Sequence, residues 1–136
     1  MFLGTYEIKF TGVGRVILPK KLRSEIVGNG IILSRGFEKC IWGFSKKDFE
    51  REAKKALEVS ATEEQARKMR RYLFSGSEPV ELDKQGRFII PAALLDFARV
   101  VREIVIIGAG DHFEIWDKKN WKTHIIGLGR IYGRVS

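Results

Sequence analysis

The sequence predicts a mainly β protein with helices (α+β), built from two tandem copies of one small module and joined by a helical linker. Three observations predict this. First, residues 14–49 align with residues 86–121 at a shift of 72, with nine identities among 36 pairs. Self-similarity of this kind marks a repeated structural unit. Second, each copy carries two strand-like pieces around a glycine turn, followed by a proline. Third, the segment between the copies has helical rather than alternating apolar spacing.

The identities are Gly14/Gly86, Arg15/Arg87, Ile17/Ile89, Pro19/Pro91, Leu22/Leu94, Ile32/Ile104, Gly36/Gly108, Lys46/Lys118 and Lys47/Lys119. Leu33/Val105, Phe44/Trp116 and Phe49/Trp121 keep their character. Tyr6 to Phe10 and Arg15 to Leu18 read as strands in the first copy. Val80 to Leu82 and Arg87 to Ile90 are their counterparts. Gly14 and Gly86 supply the positive φ of a tight reversal. Pro19 and Pro91 end a ladder and suit a first helical turn. Short helices are expected at Lys20 to Ile26 and Ala92 to Ala98. Strands follow at Ile31 to Ser34 and Cys40 to Phe44, and at Ile104 to Ile107 and His112 to Trp116, with Gly36 and Gly108 in the turns. Between the copies, Phe49, Ala53, Ala56 and Leu57 follow helical spacing. Thr62 and Gln65 form a capping-box pattern for a second helix, and Ser75 to Pro79 breaks it. The units are therefore a first repeat at 5–49, a linker at 50–76, a second repeat at 80–121 and a basic tail at 122–136. The tail has no clear periodicity. One copy of about 40 residues buries too little surface to stand alone, so the two are expected to share a core.

The net charge of +8 and pI near 9.8 favour a polyanionic partner: nucleic acid, an anionic membrane or an acidic protein. An unspecialised basic surface is the plain alternative. The charge is uneven. Lys9 to Arg23 contains five cations and no acid, whereas Glu81 to Leu95 nets to zero. Cys40 is the only cysteine, so no intrachain disulfide or cysteine metal cluster forms, and a reducing cytosol fits. The start of the chain lacks a secretory pattern, and apolar runs such as Ile104 to Ile107 are too short for a bilayer. His112 and His124 have no ligand spacing. No nucleophile-elbow or phosphate-loop motif exists. Gly108-Ala109-Gly110 reads as a turn rather than half a dinucleotide loop, and Cys40 as a small buried residue. No enzyme activity, cofactor, metal or small-molecule substrate is expected.

Asp83-Lys84-Gln85-Gly86-Arg87 with Phe88-Ile89-Ile90-Pro91 resembles the signature of the SpoVT-AbrB domain. Two such copies, the linker, Met1-Phe2 with Gly4, and the segment Phe113-Glu114-Ile115-Trp116-Asp117 resemble the MraZ family of bacterial transcriptional regulators over about residues 1–121. The resemblance implies a pseudo-symmetric swapped-hairpin AbrB-type β-barrel. It implies assembly of protomers into a ring-like homo-oligomer in the cytoplasm, associated with the nucleoid. It also implies repression through repeated DNA boxes upstream of a division and cell-wall operon that includes the regulator's own gene. Phe2 and the linker are candidate self-association elements. One position departs from the pattern: Thr11 stands where the family has aspartate. A carboxylate there would hold Arg15 by a charged hydrogen bond, while Thr11 offers a neutral hydroxyl.

The candidate DNA-binding residues are Lys9, Arg15, Lys20, Lys21, Arg23, Lys84 and Arg87. Lysines neutralise phosphate and release counterions. Arginine also grips guanine edges with paired hydrogen bonds. Against this, Arg87 could be paired structurally with Asp83, and Lys20, Lys21 and Arg23 could be an ordinary solvated face. The basic run Arg67 to Arg71 follows Glu63 and Glu64 at ion-pair spacing, so a solvated or inter-subunit face is expected there. Arg130 and Arg134 are weaker candidates. Two other classes remain: an antitoxin-like module that covers a protein partner, and an RNA-binding protein. The short basic tail argues against the first. The lack of aromatic pairs at ribonucleoprotein-motif spacing argues against the second.

Overall fold

A computed structural model describes residues 1–135. The first repeat contributes β1 (Thr5–Lys9), β2 (Arg15–Ile17), α1 (Lys20–Arg23), β3 (Gly30–Arg35) and β4 (Ile41–Ser45). Next come α2 (Lys46–Glu58), which begins within the last residues of the first repeat and runs into the linker, and α3 (Glu64–Ser75). The second repeat contributes β5 (Glu78–Glu81), β6 (Arg87–Ile89), α4 (Ala92–Phe97), β7 (Glu103–Gly108) and β8 (Phe113–Asp117), and α5 (Lys118–Tyr132) follows.

Every ladder is antiparallel. Six strands form one sheet in the order β1-β7-β8-β4-β3-β5, and β2 pairs with β6 in a separate two-stranded ribbon. That order is unchanged when the two repeats are interchanged. β1 lies on β7 and β5 lies on β3, so the repeats exchange their leading strands. β4 and β8 meet at the middle, with Trp42 opposite Glu114. The ribbon obeys the same pseudo-twofold: Val16 faces Phe88, Arg15 faces Ile89 and Ile17 faces Arg87. Among the described residues, β1 and β5 are the outer strands of the larger sheet. These ladders give an open sheet facing a ribbon and do not themselves draw the closed barrel that the resemblance implies. The ribbon strands are short because Pro19 and Pro91, which have no N–H, follow within two residues of their ends.

One core lies between the sheet and the ribbon. Val16, Leu18, Phe88 and Ile90 meet Ile31, Leu33, Ile41, Ile104, Ile106 and Ile115, all buried. Leu22 and Leu94, one turn after the prolines, close its ends. Two reciprocal backbone bonds tie the repeats. Leu18 N–H donates to Gly86 O at 2.9 Å, and Ile90 N–H donates to Gly14 O at 2.8 Å. Both glycines have positive φ, 68° at Gly14 and 80° at Gly86, as the turn requires. Residues of both repeats make up this one core.

Several expectations need correction. The ungapped shift of 72 holds at β4 and β8 but not at β3 and β7. Ile31 faces Ser45 and Ile104 faces Asp117, so these strands correspond at a shift of 73. An extra residue before β7 is offset by a shorter turn after it, and Ile31, not Ile32, matches Ile104. Gly108 ends β7 rather than sitting in the turn. A Cβ there would come within 2.5 Å of the Phe2–Leu3 backbone, which the glycine lets pass. The capping box does not form. The Thr62 and Ser60 hydroxyls bond each other at 2.9 Å, and α3 begins at Glu64 without a side-chain cap. Phe2 is buried edge-on against Phe113, with ring centroids 5.5 Å apart, so it is not free for self-association. The tail is helical through Tyr132. Asp117 caps α5 by accepting from the Asn120 N–H, as Ser45 caps α2 by accepting from Asp48.

Candidate nucleic-acid interface

The β2–β6 ribbon turns one face inward and one outward, because side chains alternate along a strand. Val16 and Phe88 fill the inner face. Arg15, Ile17, Arg87 and Ile89 therefore share the outer face, with the arginines on one diagonal and the isoleucines on the other. Diagonal positions in an antiparallel pair lie about 7–8 Å apart, with their Cβ atoms somewhat closer. The two arginines, 72 residues apart in the chain, thus become near neighbours on a surface that neither repeat makes alone.

Their surroundings differ. Asp83 organises the second turn. Its Oδ1 accepts from the N–H groups of Gln85 (2.8 Å) and Arg87 (2.9 Å), and its Oδ2 accepts from Arg87 Nε at 2.7 Å. The Arg87 N–H and guanidinium hold this exposed carboxyl below the usual carboxylate range. In the first turn, the Thr11 hydroxyl donates to the Arg15 carbonyl at 3.3 Å. It does not touch the guanidinium, which lies over Gly12. Among the described residues Arg15 has no ion pair and Arg87 has one.

The other candidates are distributed unevenly. Lys20 and Lys21 are exposed on α1, directly after Pro19. Lys84 is exposed at the β5–β6 turn. Arg23 is half-buried, and its side chain covers Gly86 so closely that a Cβ there would lie 2.3 Å from Arg23 Cδ. Arg23 is thus packed beside the second repeat's turn instead of standing on an open helix face. Lys9 stands apart: it faces Glu103 across the β1–β7 ladder, in a region where Lys118 bridges Glu7 and Glu103.

The basic linker run has local work. Arg70 donates to the Leu57 and Val59 carbonyls and Arg67 to those of Ala61 and Thr62, joining the end of α2 to the start of α3. Only Lys68 forms the ion pair expected from spacing, with Glu64 at 3.5 Å. Arg130 and Arg134 are exposed at the far end of the chain.

A polar cluster at the β4–β8 junction is built for structure. His112 stacks on Trp42 with centroids 3.9 Å apart, and its ring nitrogens meet Asp111 (2.7 Å) and Glu114 (2.8 Å). Burial pulls the imidazole down, but those carboxylates outweigh it and the net direction is upward. Burial first, then Glu114 and Glu38, push the Cys40 thiol up to about 12. That is the opposite of nucleophilic activation.

Ile17 and Ile89 did not enter the sequence-derived site. The alternation that buries Val16 and Phe88 places them beside the arginines, which is the signal that finds them.

The family model described as "MraZ protein, putative antitoxin-like" matches residues 1–72 and again 73–126. The protein named Transcriptional regulator MraZ from Leifsonia xyli subsp. xyli is 42% identical over 125 residues, covering 92% of this chain and 87% of the relative. Proteins of the same name from Paenarthrobacter aurescens and Micrococcus luteus are 43% and 41% identical over the same length and coverage. With two matches of one family model dividing the chain between them, and a two-repeat fold that interleaves the halves, the chain belongs to the MraZ family.

Proposed function

We propose that the chain is a sequence-specific DNA-binding regulator of transcription whose β2–β6 ribbon enters the major groove. One observation carries this reading: both repeat arginines project from the outer face of a two-stranded antiparallel ribbon. The major groove of B-DNA, about 12 Å wide, admits such a ribbon. Arg15 and Arg87 are the base-reading groups. Lys20, Lys21 and Lys84 contact phosphate and set the register. Arg23 supports the second turn and adds positive potential there, and Lys9 contributes at longer range.

The regulator acts as a repressor at repeated boxes upstream of the division and cell-wall operon that carries its own gene. It works on the nucleoid as a ring-like homo-oligomer, so that several ribbons engage several boxes together. The exchanged hairpins complete a barrel-like core in each protomer. No catalytic step is part of this function. The antitoxin-like wording of the family description favours a second reading, in which the basic face covers an acidic protein partner.

A shift assay over a salt series, with a duplex selected by the protein from a random pool, a scrambled duplex and an RNA of equal length, tests the DNA-binding reading. The selected duplex binds best, and log affinity falls linearly with log salt by about 0.9 per phosphate neutralised. Equal affinity for the two duplexes would remove the sequence-specific reading.

A further inference from the structure

The outer face of the ribbon holds two isoleucines for which phosphate binding and guanine reading have no use. Ile17 is 38% exposed and Ile89 is 60% exposed, although the core side of the same strands is filled by Val16 and Phe88. Single exposed apolar residues need no explanation. These two occupy equivalent positions in the two repeats, and each lies directly across the ladder from an arginine: Ile89 from Arg15, and Ile17 from Arg87.

The neighbours say what kind of partner covers them. Arg15 has no ion pair among the described residues, and Lys20, Lys21 and Lys84 are exposed around the ribbon. A partner complementary to that charge is a polyanion. An apolar side chain held within a cationic face then needs an apolar group on a polyanion. Among the four bases, the major-groove edges present one such group, the 5-methyl of thymine. The spacing agrees: diagonal ribbon positions are about 7–8 Å apart, close to two base-pair steps of about 3.4 Å.

We propose that Ile17 and Ile89 are specificity-determining residues that read thymine by packing against its 5-methyl group, while the arginine across the ladder from each reads a neighbouring base. The inference rests on the DNA-binding reading above. It assigns the four outward positions of the ribbon to two kinds of base contact, one kind on each diagonal, so that they alternate along each strand.

The test begins with a consensus duplex selected from a random pool by the wild-type protein. It is then remade with deoxyuridine for thymine, which deletes only the methyl groups. Wild-type affinity falls about fourfold for each contacted methyl, the factor expected for burying one methyl-sized group. Ile17→Ala and Ile89→Ala bind the thymine duplex more weakly by a similar factor and lose sensitivity to the uracil exchange. Ile89→Val restores part of it. Equal wild-type affinity for the two duplexes overturns the proposal. So does full thymine sensitivity in the alanine variants, a consensus without thymine, or an alanine effect on oligomer size alone. If no consensus emerges from the pool, the DNA-binding reading falls as well. If a consensus emerges but uracil is tolerated, only the isoleucine assignment falls. Should an alanine variant fail to fold, the uracil exchange with wild type decides.

Discussion

Arg15→Ala is predicted to weaken specific DNA binding more than Arg87→Ala. The two arginines sit at equivalent places on one ribbon, so the difference comes from their turns. The Arg87 guanidinium gives its Nε–H to Asp83 at 2.7 Å, whereas the Thr11 hydroxyl bonds only the backbone of Arg15. Arg87 must share or surrender a charged hydrogen bond to reach a base, and Arg15 surrenders none. A bidentate arginine–guanine contact contributes about 1–3 kcal/mol of discrimination. At about 1.4 kcal/mol per decade, this is about a 5- to 150-fold loss of affinity for Arg15→Ala. The loss for Arg87→Ala is smaller. Asp83→Asn, which removes the carboxylate charge beside Arg87, narrows the difference. Fluorescence anisotropy with selected and scrambled duplexes measures all three, with circular dichroism and sedimentation confirming folded variants of unchanged size. Lys20→Ala and Lys21→Ala weaken both duplexes similarly and lower the salt slope by about one each. Normal binding by folded Arg15→Ala, together with loss of specific binding by Arg87→Ala, would refute the reasoning and move the reading surface to the second repeat.

Three further outcomes test the fold. Gly43→Val is expected to destabilise by about 1–3 kcal/mol or more, because a Cβ at Gly43 would meet the Phe113 ring at 2.2 Å across the β4–β8 junction; an unchanged urea midpoint would contradict that packing. Cys40 in the native protein resists thiol reagents at pH 8, since burial pushes it to about 12, and reacts once the chain unfolds; rapid native labelling would show an open junction. His112 is raised in the fold, so its contribution is fully present below the ordinary histidine value of about 6.5 and is lost as pH rises through the folded value. Melting temperature therefore falls across that window, and His112→Phe, which keeps an aromatic ring on Trp42, reduces the slope; an equal slope in the variant would assign the effect elsewhere.

The two-module plan was legible because its signals are local. Gly14 and Gly86 mark turns by backbone freedom, and Pro19 and Pro91 stop ladders wherever they occur. The exchange of β1 and β5 between repeats was not readable from such signals. Tyr6 and Ile8 alternate in the same way whichever β-strand they pair with; the family resemblance implies a swapped-hairpin barrel, and the ladders show the exchange of β1 and β5 without a closed barrel. The slip at β3 escaped because two one-residue length changes cancel, leaving Ile32 aligned with Ile104 in the chain but not in space. The α5 helix was hidden by Gly127 and Gly129, which interrupt its apolar pattern, although Asp117 caps it as Ser45 caps α2. At the site, charge and the repeated motif grouped seven cations. Pairing separates them: Arg15 and Arg87 converge on the ribbon, Arg23 packs on Gly86, and Lys9 is left opposite Glu103.

The central claim is that the ribbon, made jointly by the two repeats, is the surface that meets DNA. Photocross-linking tests it most directly. A benzophenone amino acid is placed at Val13, fully exposed at the β1–β2 turn beside the ribbon, or at Leu57, 53% exposed on α2. Each protein is irradiated with the selected duplex. The account predicts a cross-link from position 13 that excess unlabelled selected duplex abolishes and excess scrambled duplex does not, with none from position 57. Cross-linking from position 57 alone would place the DNA on the linker helices and contradict the account.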